Sequence, residues 1–168
     1  MTAPTEEPGG ARPTGAVIDR HVRRMRLTTG LFLASVPAAA VTAFLAEPRR
    51  SAVVSPLTMT LVALAAGLWI GFTANRDANG RLERAKRAFA VHGDERRLLR
   101  DHWLVYLVVL LRLEMIVLCG LVVAVWGLGP MMGTWVLLLG GLMIGLTWPT
   151  TRKTQLLLGR ARAMRSDG

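Results

Sequence analysis

The sequence has little of the chemistry that marks catalytic or cross-linked proteins. Its 168 residues include one cysteine, Cys119, one tyrosine, Tyr106, and three histidines. A single cysteine excludes an intrachain disulfide and argues against a cysteine-based metal site. The catalytic and phosphate-binding motifs GxSxG, HExxH and the P-loop are all missing. We therefore predict no cofactor and no metal centre.

Charge is nearly missing from four long apolar blocks. A soluble helix would place a polar face at every turn, which these blocks lack, and each is close to the roughly 20 residues that cross a bilayer. The turn Gly127–Pro130 joins the last two blocks into a hairpin. The predicted fold class is an all-α membrane protein, with four transmembrane helices in an antiparallel bundle. The predicted spans are about 27–46, 53–74, 103–127 and 131–149.

The charges outside these blocks predict the topology. Of the 21 basic residues, 18 fall within residues 1–26, 75–102 and 150–168, whereas Arg49 and Arg50 are the two in the first loop on the other side. The positive-inside rule then places both termini and the middle loop in the cytoplasm. Topology accounts for the net charge of +10, so nucleic acid is not a predicted partner. The preference for Arg over Lys is typical of a GC-rich bacterial genome, which favours a bacterial plasma membrane.

The segments outside the spans differ in character. Residues 1–15 are rich in proline and glycine and predict a disordered cytoplasmic tail, followed by an amphipathic lead-in at the headgroups. Residues 16–149 form the transmembrane domain, including a helical cytoplasmic stalk, 76–102, that extends helices 2 and 3. We expect Gly93 to end one arm of the stalk and Asp94 to cap the other. Residues 150–168 predict a basic helix or tail on the inner leaflet.

Basic residues next to the spans are the predicted contacts with anionic inner-leaflet headgroups. They are Arg20, Arg23, Arg24, Arg152, Lys153 and Arg160. Inside the spans, small residues recur every four positions, as in Gly67/Gly71, Gly120/Ala124 and Gly141/Gly145, which predicts close helix packing.

The third span contains the candidate intramembrane polar site, formed by Glu114, Arg112 and Tyr106. At helical rise, Arg112 lies about 8 Å and Glu114 about 10 Å inside the cytoplasmic boundary of a core about 30 Å thick. Arg112 is long enough to reach the inner headgroups, whereas Glu114 is expected to face the bundle. A spacing of two residues prevents pairing within the helix, so at least one of them needs a partner on another helix or subunit.

A second candidate is a polar cluster at the stalk. His92, Asp94, Asp101 and His102 are metal-ligand residue types, but their spacing matches no metal motif. The interpretation favoured here is a solvated helix turn.

Three functions remain open from the sequence. The leading interpretation is a non-catalytic accessory, anchoring or regulatory membrane subunit that packs as a homo-oligomer or against a larger membrane-protein partner. The first alternative is an oligomeric small transporter or channel using Glu114 and Arg112, since an intramembrane carboxyl would suit proton coupling. The second is a membrane-embedded enzyme acting on a lipid or isoprenoid, with Glu114 as general acid.

Overall fold

The computed structural model describes residues 15–45, 55–126 and 130–166. The predicted tail up to residue 14, the first outer loop and the turn at 127–129 lie outside the described residues. Residue 15, which the sequence assigned to the tail, belongs to the first helix.

The described residues form five helices and no strands. These are α1 Gly15–Leu45, α2 Pro56–His92, α3 Glu95–Trp126, α4 Pro130–Leu146 and α5 Thr151–Ser166. The predicted all-α fold is confirmed, and α2 and α3 extend beyond their apolar blocks, as the stalk requires.

Three of these helices, α1, α2 and α3, are long and apolar enough to cross a membrane. The fourth predicted span is less clear-cut, because α4 has 17 residues. At 1.5 Å per residue it covers about 25 Å of a core about 30 Å thick. Helices α4 and α5 together pass the same test, but they are bent by 54° where they meet. The structure thus supports three spanning helices, or four if this bent pair forms one span.

Local chemistry explains where α2 and α3 begin and end. Ser55 precedes α2, and Pro56 occupies a first-turn position that needs no backbone donor. Gly93 ends α2 with a φ of 70°, a left-handed conformation that favours glycine, and its N–H bonds the Phe89 carbonyl at 2.7 Å. The Asp94 carboxylate accepts the Arg97 N–H at 3.1 Å and caps α3. The predicted roles of Gly93 and Asp94 are both confirmed.

Helix α3 is the centre of the bundle. In its most apolar stretch of 18 residues, 39% are buried, against 11% in α1 and 17% in α2. Helices α1 and α4 pack against α3 and against each other, whereas α2 rests mainly on α3. Contacts between α3 and α4 run antiparallel, since Val117 lies beside Gly140 and Ala124 beside Gly133.

Most of the buried apolar residues that the structure describes fall into two separate cores. The first, which we call the span core, joins α3 and α4 through residues such as Leu110, Ile116 and Leu137. The second, the basal core, lies at the stalk end and brings α1, α2, α3 and α5 together. Its residues are Ile18, Val22, Phe89, Leu98, Leu99, Leu157, Leu158 and Ala161.

The basal core covers the apolar residues of the two segments that the sequence predicts to be amphipathic. The lead-in is continuous with α1, and its apolar residues Ile18 and Val22 are buried against protein. In α5, Leu157 and Leu158 pack into the same core. An apolar stripe is satisfied equally by lipid or by a neighbouring helix, and here the neighbouring helices cover it.

Candidate functional site

The structure separates the three residues of the predicted intramembrane site. Arg112 reaches from α3 to α2, where its Nη1 donates to Asp77 Oδ2 at 2.7 Å. The side chain therefore extends towards the stalk, the direction in which it was expected to reach. The hydrogen bond from Arg112 and its positive charge lower the pKa of Asp77 below its usual range. This pair links α2 to α3.

Tyr106 joins a different group of residues, at the meeting of three helices. Its hydroxyl lies 2.5 Å from the buried Thr29 hydroxyl of α1 and 3.2 Å from the Thr147 carbonyl, just beyond α4. Thr29 Oγ1 also lies 2.8 Å from the Met25 carbonyl. The hydroxyl groups of Thr29 and Tyr106 together have two protons for these three contacts. The contacts connect α1, α3 and the end of α4.

Glu114 has no such engagement. It follows Leu110 by four residues and precedes Val117 by three, so all three share one face of α3. Leu110 and Val117 are buried, and Val117 packs on Gly140 of α4. The Glu114 Oε2 atom is itself buried and has no hydrogen-bond partner among the described residues. A buried polar atom without a partner is costly, and the contacts of the described residues do not explain why Glu114 is placed there.

The predicted stalk cluster is brought together only in part. His92, Asp94 and Asp101 line one small cavity of about 10 Å³, close to the volume of a single water site. Asp94 is used as the α3 cap, and His92 Nδ1 lies 3.1 Å from the Ala88 carbonyl. Among the described residues no group of three His, Cys, Asp or Glu side chains is arranged to hold a metal ion.

The fourth member of that cluster, His102, pairs instead with His21 of α1. His21 Nε2 lies 3.3 Å from His102 Nδ1, with the rings 5.5 Å apart at their centres. Burial lowers the pKa of His102 to about 4 and, to a lesser extent, lowers that of His21, so both imidazoles are neutral at neutral pH. One ring then donates and the other accepts. Sequence reasoning missed this pair because 81 residues separate its members.

The basic residues that were predicted to contact lipid fall into two sets. Arg20 and Arg24 line a groove between α1 and α3, together with Arg96, Arg100 and Trp103. The other predicted contacts, Arg23, Arg152, Lys153 and Arg160, are exposed outside this groove. Arg96 and Arg100 were not among the sequence-predicted residues, although their spacing of four on a helix already placed them on one face.

Over the described residues the protein is all-helical, with three helices long and apolar enough to span a membrane, or four if the bent pair α4 and α5 forms one span. Comparisons with protein-family models, with curated proteins and with solved structures found no match to this chain.

Proposed function

We propose that this protein is a non-catalytic accessory, anchoring or regulatory subunit of a bacterial plasma membrane, with both termini and the stalk in the cytoplasm. The proposal is carried by the way the polar groups of the spans are used. Arg112 bonds Asp77 and thereby links α3 to α2, while Tyr106 bonds Thr29 and the Thr147 carbonyl. These groups hold the protein's own helices together, which is the role expected of polar side chains in a structural bundle.

The exposed apolar side of helix α2 is the surface that we propose contacts a partner. The helix rests mainly on α3, and large apolar side chains remain exposed along its outer side, among them Leu61, Leu68, Trp69 and Phe72. Their spacing keeps them on one broad face of the helix. The proposal therefore places a helix of a second copy, or of a larger membrane protein, on this face of α2.

Co-purification from native membranes in mild detergent tests this proposal. We expect the wild-type chain to be recovered as a homo-oligomer or with a stoichiometric membrane-protein partner. Ala65→Trp, on the exposed face of α2, should abolish that association by adding bulk where the partner packs. Ala38→Trp, at an exposed position of α1, is the matched control and should leave association intact. A wild-type monomer without a partner, or equal behaviour of the two variants, would contradict the proposal.

A second candidate function, an oligomeric transporter or channel, is favoured by one observation. Glu114 lies within the apolar part of α3, and its Oε2 has no hydrogen-bond partner among the described residues. In transporters, carboxyl groups inside the membrane bind and release protons. Proton-dependent flux into liposomes should then be lost in Glu114→Gln and kept in Glu83→Gln, whose carboxylate pairs with Lys86 on the α2 arm of the stalk. Flux that survives Glu114→Gln would exclude this function.

The membrane-embedded enzyme receives no support from these contacts. A lipid-sized cavity lined by Glu114, Tyr106 and Arg112 would support such an enzyme. Arg112 and Tyr106 instead bond to different partners, on α2 for Arg112 and on α1 and the end of α4 for Tyr106.

A further inference from the structure

We propose that the groove between α1 and α3 binds the phosphate-bearing headgroup of an anionic membrane lipid. We call it the arginine groove and define it by Arg20, Arg24, Arg96, Arg100 and Trp103. Its volume is about 280 Å³, near the lower end of small-molecule sites, which start at about 300 Å³. The inference goes beyond the proposed function, because it applies whichever partner the protein has.

The two helices present the arginines as matched pairs. Arg20 and Arg24 are four residues apart on α1, and Arg96 and Arg100 are four apart on α3, so each pair lies along one helix face. The pairs line the same groove from its two sides. Guanidinium groups bind phosphate oxygens through two parallel N–H donors, so a groove lined by four of them offers a phosphate group several such donor pairs.

Most of the positive charge of the groove has no carboxylate partner. Among the described residues, no carboxylate forms an ion pair with Arg20, Arg24 or Arg96, and the ion pair of Arg100 is long, with 4.0 Å between its Nε and Asp101 Oδ1. By contrast, Arg162 of α5 pairs with Glu95 of α3 at 2.7 Å. The guanidinium groups of the groove repel one another, and a bound anion reduces that repulsion.

Trp103 gives the groove an apolar wall and orients one arginine. The Arg24 guanidinium carbon lies 4.1 Å from the centre of the Trp103 ring, a stacked cation–π geometry. Stacking uses the face of the guanidinium and leaves its N–H donors, which point along its edge, available to a ligand. His21 also lines the groove, and its lowered pKa keeps the ring neutral, so it adds no charge at neutral pH.

The level of the groove along the helices favours a lipid over a soluble phosphate. Trp103 is the first residue of the apolar block of α3, a position typical of indole rings at a membrane interface. On α1, Leu27 and Leu31 follow Arg24 by three and seven residues on the same face, and both are exposed. A lipid whose phosphate is held by the arginines would therefore have its acyl chains beside these exposed leucines.

The test measures lipid binding to the purified full-length chain in a neutral detergent. Phosphatidylglycerol is titrated and read out by native mass spectrometry, with phosphatidylcholine, inorganic phosphate and a short RNA as further arms. Wild-type protein should retain phosphatidylglycerol in preference to phosphatidylcholine. Arg96→Gln/Arg100→Gln should weaken its binding about tenfold or more, because two charge-assisted contacts to phosphate are removed. Both side chains are exposed, so the thermal midpoint without lipid should not fall below that of wild type.

The control removes the same charge outside the groove. Arg81→Gln/Arg87→Gln replaces two exposed arginines of the α2 arm of the stalk, neither of them a predicted headgroup contact, and should change binding less than twofold. Equal losses in the two double variants would show diffuse surface attraction and overturn the site. Inorganic phosphate competing as well as the lipid would overturn the lipid source, and RNA bound in preference to lipid would overturn the ligand class.

Discussion

The close contact between α3 and α4 predicts a large effect from a single methyl group. A Cβ added at Gly133 would meet the Cβ of Ala124 and lie only 2.6 Å from its Cα and 2.7 Å from its backbone nitrogen. Ordinary carbon contacts are about 3.5–4.0 Å. Because the obstacle is backbone, no rotation of a side chain relieves it, and Gly133→Ala must push the two helices apart by about 1 Å.

The cost of that displacement follows from overpacking, which destabilises by about 1–3 kcal/mol. Gly133→Ala should fall near the upper end of that range, because separating the helices also loses dispersion contacts along the seam. Gly145→Ala is the matched control on the same helix, since a Cβ there meets nothing within 4 Å. It should be neutral or stabilise the chain by up to about 1 kcal/mol, as alanine is the better helix former.

Thermal unfolding in mild detergent measures the difference. At about 2–4 °C per kcal/mol for a chain of this size, Gly133→Ala should melt several degrees below Gly145→Ala. Adding Ala124→Gly should restore only part of the loss, because the Ala124 backbone still blocks the new methyl group. If Gly133→Ala and Gly145→Ala melt at the same temperature, the packing of α3 on α4 described above is wrong.

Three further predictions concern polar contacts between helices. Arg112→Gln and Asp77→Asn should each lower the melting temperature in detergent, whereas the charge swap Arg112→Asp/Asp77→Arg should recover part of the loss. A swap that recovers none of the loss would show that the pair contributes nothing. Burial lowers the pKa of His102 from 6.5 to about 4, so the stability that this group contributes should be full above pH 6.5 and fall as the pH drops towards 4. His102→Gln should flatten that pH profile of stability, and an unchanged profile would contradict the lowered pKa of His102. Tyr106→Phe should destabilise by about 1 kcal/mol through lost hydroxyl contacts, measured by the same melting assay; an unchanged midpoint would show that the hydroxyl is not used.

The helices could be predicted because local chemistry determines them. Uninterrupted apolar blocks, a left-handed glycine at Gly93 and a capping carboxylate at Asp94 each act within a few residues of their own position. The partners across helices could not be predicted in this way. At least one of Arg112 and Glu114 was expected to need a partner elsewhere, but periodicity identifies a face and not the residue opposite it. Asp77 and the His21–His102 pair were therefore found only in the structure.

Two sequence signals were ambiguous for a physical reason. The apolar stripes of the α1 lead-in and of α5 are compatible with a leaflet or with protein, and the basal core covers both. The repeated small residues were an equally mixed guide. Gly120 lies against the Leu137 backbone as the pattern predicts, whereas the face of Gly145 is open. A glycine permits close approach without requiring it.

The most direct test of the account is to measure on which side of the membrane the stalk and α5 lie. Three variants each carry a single cysteine in a Cys119→Ser background, at the exposed positions Arg87 and Arg160 or at Ser51 of the predicted outer loop. Intact cells that express each variant are treated with an impermeant thiol reagent. Positions 87 and 160 should react only after permeabilisation, and position 51 should react without it. Labelling of 87 and 160 from opposite sides, or of either in intact cells, would contradict the proposed topology.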